Sequence, residues 1–299
     1  MKTMGKKCLG MLLSILLIAG CCLTVGLDNN TVQAAASGAF RYSVGVDDAG
    51  VQSAVITDYL GIGTEVVVPA ELDGYPVSHI GWQAFAETDT LTRVVIEEGV
   101  ECIDWQAFLN CPNLTSVSIP TSLTSIDIEA FDGCGRLTAI SVAPGNPAYV
   151  SQNGVLFNGD QTQLVEYPEG KTGFYSVPEG TQRILSWAFS GCSGLTGILI
   201  PDSVTDIDPE AFLGCRDFVI YGSIGSAAEQ FARQQGIPFF AMDNPVYDLD
   251  QDGRLTVADT MILAQQLVDG AASQEFDFNQ DETVDVLDIM NLVQLLADQ

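Results

Sequence analysis

Apolar positions recur along this chain with a period of 23 residues. Blocks starting at Ile80, Ile103 and Ile126 read IGWQAFAETDTLTRVVI, IDWQAFLNCPNLTSVSI and IDIEAFDGCGRLTAISV, and two more start at Ile184 and Ile207, again 23 residues apart. The shared frame is I-x-x-x-A-F-x-x-C-x-x-L-x-x-V/I-x-I/V, often followed by Pro. Its L-x-x-V-x-I part predicts a short strand with alternate side chains inward. Its I-x-x-x-A-F part predicts a tight turn that drives Phe85, Phe108, Phe131, Phe189 and Phe212 into the interior. One such unit leaves its apolar face open, and stacking the units closes it into a continuous column. The fold expected over residues 37–240 is a β-rich solenoid.

The ends of the repeat differ from its middle. Residues 40–80, FRYSVGVDDAGVQSAVITDYLGIGTEVVVPAELDGYPVSHI, resemble the strand-rich N-terminal entry of solenoids of the BspA-like leucine-rich-repeat family. The longer interval between Phe131 and Phe189 holds NPAYVSQNGVLFNGDQTQLVEYPEG, which resembles that family's irregular long repeat, in which a hairpin replaces the plain coil. IGSAAEQFARQQGIPF predicts a closing helix, with Ser226 and Glu229 as a capping box and Gly236 as its stop. This repeat resembles the BspA-like leucine-rich-repeat family of bacterial surface proteins. The resemblance implies a fold; solenoids of this kind present many different surfaces, so it does not imply one function.

Beyond a short linker at 241–245, the periodicity becomes helical: TMILAQQLVDG and IMNLVQLLADQ each follow an acidic loop. The loops run Asp248–Asp259 and Asp277–Asp288, a shift of 29 residues. Calcium takes six to eight oxygen ligands, and a loop of about 12 residues supplies them from positions 1, 3, 5, 7, 9 and 12. In the first loop these are Asp248, Asp250, Asp252, the Arg254 carbonyl, Thr256 and Asp259, with Gly253 allowing the sharp turn. The second offers Asp277, Asn279, Asp281, the Thr283 carbonyl, Asp285 and Asp288, and has Glu282 where the first has glycine. Both end in Asp rather than the Glu of an ordinary EF-hand. Met261/Met290, Leu263/Leu292, Gln265/Gln294 and Leu267/Leu296 coincide between the halves.

A loop followed by a single helix, duplicated, resembles a type I dockerin. The resemblance implies a small all-α domain with two EF-hand-like calcium loops over residues 246–299, holding two Ca2+ ions. It also implies a partner: the cohesin module of a scaffoldin in a cellulosome-like assembly. The family's contact positions fall on Val257, Ala258, Val286 and Leu287, which are apolar here, and the likeness of the halves implies docking in either of two orientations.

The N-terminus adds an export reading. MKTMGKK is basic, the run to Leu27 is apolar, and TVQAAAS offers cleavage after Ala34 or Ala36, so residues 1–36 read as a signal peptide. An uncleaved membrane anchor and a lipoprotein anchored through Cys21 of IAGC are the alternatives. A secreted or cell-surface location follows from the first reading, with no membrane insertion after cleavage. Five cysteines remain beyond this segment: Cys102, Cys111, Cys134, Cys192 and Cys215. The last four share one frame position, which suits small buried fillers, although bridges between neighbouring coils stay open.

Charge narrows the partners. With 39 Asp and Glu against 11 Lys and Arg, the net charge is −28, so nucleic acid is an unsuitable partner. The single histidine, His79, and the absence of P-loop, H-E-x-x-H and G-x-G-x-x-G patterns argue for a non-catalytic protein. An enzyme or enzyme inhibitor of polysaccharide degradation is the alternative. Trp82 and Trp105 share one frame position in successive coils and are the candidate ligand surface for a protein or a carbohydrate. Packing as edge cover is the competing reading, and Trp187, one position off, reads as core or edge. A patch around Arg93, Val95, Ser116 and Ser118 is a further candidate.

Overall fold

A computed structural model describes residues 33–46, 50–242, 249, 256–270, 272, 276, 283–286, 288–289 and 293. Of the expected signal peptide, residues 1–36, the part up to residue 32 lies outside them, as do Asp248, Asp250, Asp252, Arg254, Asp277, Asn279, Asp281 and Leu287 of the calcium and partner readings. Among the described residues no helix is long and apolar enough to cross a membrane.

The fold opens on an antiparallel meander of β1 (Gln33–Ser37), β2 (Phe40–Val46) and β3 (Gln52–Tyr59). β1 includes residues on the signal side of the expected cleavage points, so cleavage after Ala36 leaves β2 as the edge. Next come β4 (Glu65–Val68), β5 (Glu71–Leu72), β6 (Tyr75–Ile80), β7 (Arg93–Ile96), β8 (Cys102–Ile103), β9 (Ser116–Ile119), β10 (Ser125–Ile126) and β11 (Ala139–Val142). The irregular interval forms β12 (Tyr149–Gln152), β13 (Val155–Asn158) and β14 (Gln163–Glu166). The coils resume with β15 (Gly173–Ser176), β16 (Arg183–Ile184), β17 (Leu195–Leu199), β18 (Asp206–Ile207) and β19 (Val219–Gly222). Helix α1 (Ala227–Gln235), strand β20 (Phe239–Ala241) and helix α2 (Val257–Val268) complete the described elements.

Each coil contributes one strand to either of two parallel stacks. One runs β3-β6-β8-β10 and the other β4-β7-β9-β11; beyond the hairpin they are continued by β14-β16-β18 and β15-β17-β19-β20. The 23-residue frame appears directly as register, with Ile80 beside Ile103 beside Ile126, and Val94 beside Val117 beside Ile140. The phenylalanines form a stacked column. Ring centroids are 4.9 Å apart for Phe85–Phe108, 5.5 Å for Phe108–Phe131 and 4.6 Å for Phe189–Phe212. Tyr59 and Tyr167 take places in the same column, stacking on Phe85 at 5.1 Å and on Phe189 at 4.9 Å. Their amides donate to Ala84 and Ala188 as the Phe85 amide does to Ala107.

Two further features recur from coil to coil, the first of them in all but the coil that starts at Ile207. The frame position before Ala takes a left-handed backbone at Gln83, Gln106, Glu129 and Trp187, with φ of 53°, 56°, 57° and 64°. Each such non-glycine residue costs roughly 1–2 kcal/mol, which the stacked neighbours must offset. The position before the thiol, or before Thr88 in the first coil, is left-handed as well and holds Glu87, Asn110, Gly133, Gly191 and Gly214. Among the described residues no disulfide joins the cysteines. Instead Cys111, Cys134 and Cys215 donate to the carbonyls of Phe85, Phe108 and Phe189 in the preceding coil, at 3.1, 3.2 and 3.0 Å.

β13 divides the core. Leu156 belongs to the cluster of the first coils, while Val155 and Phe157 belong to that of the later ones, and all three are buried. Both ends of the solenoid are closed, by the β1–β3 meander and by α1. The Ser226 hydroxyl accepts from the Glu229 amide, and Gly236 ends α1 at φ 70°. The Glu229 carboxylate accepts from Gly225 rather than from Ser226 itself, one residue earlier than a strict capping box.

Candidate functional site

The turn that buries each phenylalanine also aims the residue two before its alanine at solvent. Trp82, Trp105 and Ile128 occupy that position and are 60%, 40% and 59% exposed. The two indoles stack with centroids 6.5 Å apart and planes 8° from parallel. Next to this strip the left-handed residues build a polar rail: Gln83 Nε2 donates to Gln106 Oε1 at 2.8 Å, and Gln106 Nε2 to Glu129 Oε2 at 2.7 Å. The Trp pair was legible as a shared frame position; Ile128 and the rail were not, although their 23-residue spacing carried the signal.

His79 lies close by, half-buried on β6, with its Nδ1 2.8 Å from Ser78 Oγ, which in turn donates to Ser53 Oγ at 2.9 Å. Burial pushes the Asp104 and Asp127 carboxyls above the ordinary carboxylate value, and the neighbouring His79 pulls against that. The strip is thus an apolar ridge flanked by amides and partly desolvated acids. Such a surface offers ring faces and hydrogen-bonding groups together, as partner and sugar sites do. The Arg93, Val95, Ser116 and Ser118 patch lies on the other stack, where Arg93 is exposed and the remaining three are half-buried.

Where the hairpin interrupts the coils, Glu129, Asp132, Glu166 and Glu169 line a narrow crevice with Trp187 and Ser190. Ser190 Oγ donates to Asp132 at 3.2 Å, and Trp187 Nε1 donates to Glu210 at 3.0 Å, which places this indole at an edge. One Glu169 carboxylate oxygen is enclosed without a partner. Burial first, and the Asp132 charge second, push the Glu169 carboxyl up to about 7. Burial and the same acidic neighbours raise Glu166 well above its ordinary value. Among the described residues no group of three or more His, Cys, Asp or Glu is arranged to hold a metal ion.

Of the expected calcium ligands, Thr256, Asp259, Thr283, Asp285 and Asp288 are described. The two loop-ending carboxylates behave alike. Asp259 is fully buried, with one oxygen accepting from the Leu249 amide at 2.7 Å and the other from the Thr256 amide at 2.6 Å. Asp288 is fully buried and accepts from the Asp285 amide at 2.7 Å. In both halves the last loop residue thus folds back onto the amide three positions earlier. Thr256 also caps α2, its hydroxyl accepting from Ala258 at 3.1 Å. Burying a carboxylate is costly unless a cation or hydrogen bonds compensate it. After residue 242 the chain carries 13 acids and one basic residue, Arg254, so the all-oxygen donor set fits a hard divalent cation. Val257, Ala258 and Val286, expected to meet a partner, are exposed.

Residues 74–171 and 169–221 match the family described as the BspA type leucine rich repeat region, in six copies. No curated protein matches the chain. Among solved structures, a leucine rich repeat protein of T. pallidum is 26% identical, with 63% of this chain and 71% of that chain covered and a TM-score of 0.38. A leucine-rich repeat protein from Eubacterium ventriosum is 20% identical, with 62% and 70% covered and a TM-score of 0.35. A leucine rich cell surface protein from Faecalibacterium prausnitzii is 20% identical, with 64% and 77% covered and a TM-score of 0.32. On the family match and on its own stacked coils, residues 74–221 form a leucine-rich-repeat region similar to the BspA type.

Proposed function

We propose that the chain is an exported, non-catalytic binding protein in two working parts. The solenoid offers the Trp82–Trp105–Ile128 ridge to a protein or carbohydrate. The C-terminal segment acts as a calcium-dependent plug of the dockerin kind and attaches the solenoid to a cohesin-bearing, cellulosome-like assembly. The observation that supports the plug is the paired burial of Asp259 and Asp288, each folded onto the amide three residues before it. Two loop-ending carboxylates held in the same way, 29 residues apart in so acidic a segment, are consistent with the duplicated 12-residue loop that would ligate two divalent cations.

In this reading Asp248, Asp250, Asp252, the Arg254 carbonyl, Thr256 and Asp259 hold the first Ca2+. Asp277, Asn279, Asp281, the Thr283 carbonyl, Asp285 and Asp288 hold the second. Val257, Ala258, Val286 and Leu287 then meet the cohesin. Calcium titration calorimetry of the full chain is the first test, with two sites expected and one lost in each of Asp259→Ala and Asp288→Ala. A chelator-sensitive pull-down on immobilised cohesin is the second. A chain that takes up no calcium removes the plug.

A further inference from the structure

The outer face of the late coils differs from that of the early ones. On β7 and β9 the outward positions are Arg93, Val95, Ser116 and Ser118. On the equivalent face of β15, β19 and β20 stand Phe174, Tyr221 and Phe240, in edge and tilted contact with ring centroids 5.5 Å apart in each pair. Their register places Phe174 beside Gly197 of β17, and Tyr221 beside Phe240. A Cβ on Gly197 would approach Tyr221 Cε2 to 3.0 Å and Phe174 Cδ2 to 3.1 Å. The missing side chain is what lets the two rings close over the sheet.

These rings do not face solvent alone. They form one apolar cluster with Met242 and with Leu263 and Phe276 of the C-terminal segment, both buried. Leu263 lies on the opposite side of α2 from Val257, Met261 and Val268, which are exposed. One face of the helix is therefore held and the other is left open.

We infer that Phe174, Tyr221 and Phe240 form a seat on the solenoid for the chain's own C-terminal module. The seat makes the module a side-mounted body rather than a loosely tethered one, and it fixes the direction in which the Val257–Met261 face projects. The contact is carbon on carbon, so it does not depend on the calcium reading. The full chain is compared by small-angle X-ray scattering with Tyr221→Ser/Phe240→Ser and with Gly197→Val. The second variant keeps the rings and wedges them apart, so it tests the seat even if the first unfolds.

Far-UV circular dichroism checks that the coils still melt cooperatively. Both variants are expected to show a larger radius of gyration and the scattering profile of two linked bodies. Profiles that superimpose on the parent's, in variants whose coils remain folded, overturn the seat. Calcium uptake measured on the same samples tests the plug separately: uptake with unchanged scattering sinks only the seat, and loosened scattering without uptake sinks only the plug.

Discussion

Phe108 is the most demanding position in the aromatic column. It is fully buried and stacks on both sides, at 4.9 Å from Phe85 and 5.5 Å from Phe131. Truncating a buried phenylalanine to alanine costs about 3–5 kcal/mol, from lost transfer energy plus the cavity that remains. Two ring contacts, each worth roughly 0.5–1.5 kcal/mol beyond burial, place Phe108→Ala at the upper end of that range. Phe131 is equally enclosed but has one ring partner among the described residues, because the column breaks at the hairpin. Phe131→Ala should therefore cost less, by about one ring contact. Total stabilities of about 5–15 kcal/mol make both losses large. Urea denaturation followed by far-UV circular dichroism measures them. A Phe108→Ala loss below about 1.5 kcal/mol, or one smaller than that of Phe131→Ala, would refute the view that stacking between coils carries the fold.

Thr181 is fully buried with its hydroxyl unpartnered, at the frame position filled by Val100, Leu123 and Val204 in other coils. Thr181→Val should raise stability by about 1–3 kcal/mol, read as a higher urea midpoint. Gly154 sits at φ 83° in the hairpin, where a Cβ would come within 2.9 Å of the Thr138 carbonyl. Gly154→Ala should lower the melting temperature, at a cost above the roughly 1–2 kcal/mol of the left-handed backbone alone. The Glu169 carboxyl is raised from 4.5 to about 7, so its contribution to stability is complete below 4.5 and is lost as pH rises through 7. Melts at pH values on either side should show a decline toward alkaline pH that Glu169→Gln reduces, whereas a flat profile in the parent contradicts the crevice argument. Trp82→Ala/Trp105→Ala should weaken retention on the solenoid's ligand, screened on insoluble polysaccharides and on secreted proteins, while leaving the melt nearly unchanged.

The coil architecture was readable because the repeat is a steric requirement: Phe85, Phe108 and Phe131 recur wherever a ring must fill the column. Tyr59 and Tyr167 fill the same place without the Ala-Phe signature, and only their amide partners reveal it. The left-handed positions escaped notice because Gln83, Gln106, Glu129 and Trp187 stand where glycine would be the usual signal. The thiols were legible as fillers, but not as donors to the coil before them. In the C-terminal loops the acids were visible as a pattern, whereas the folding of Asp259 onto Thr256 depends on backbone path. The aromatic seat was hidden for another reason. Alternation in a short strand does not say which face is outward, and Phe174, Tyr221 and Phe240 are outward residues of an otherwise apolar sequence.

The thiol contacts between coils have a practical side. Cys134 and Cys192 are kept protonated, chiefly by their neighbours Cys111 and Cys215 and then by burial, well above the usual thiol range. An alkylating reagent reacts with thiolate, and it can meet these sulfurs only when one turn of the stack lifts from the next. Labelling rates at Cys134 and Cys192 would then report how often the native stack breathes among the early and the late coils, with no foreign probe introduced.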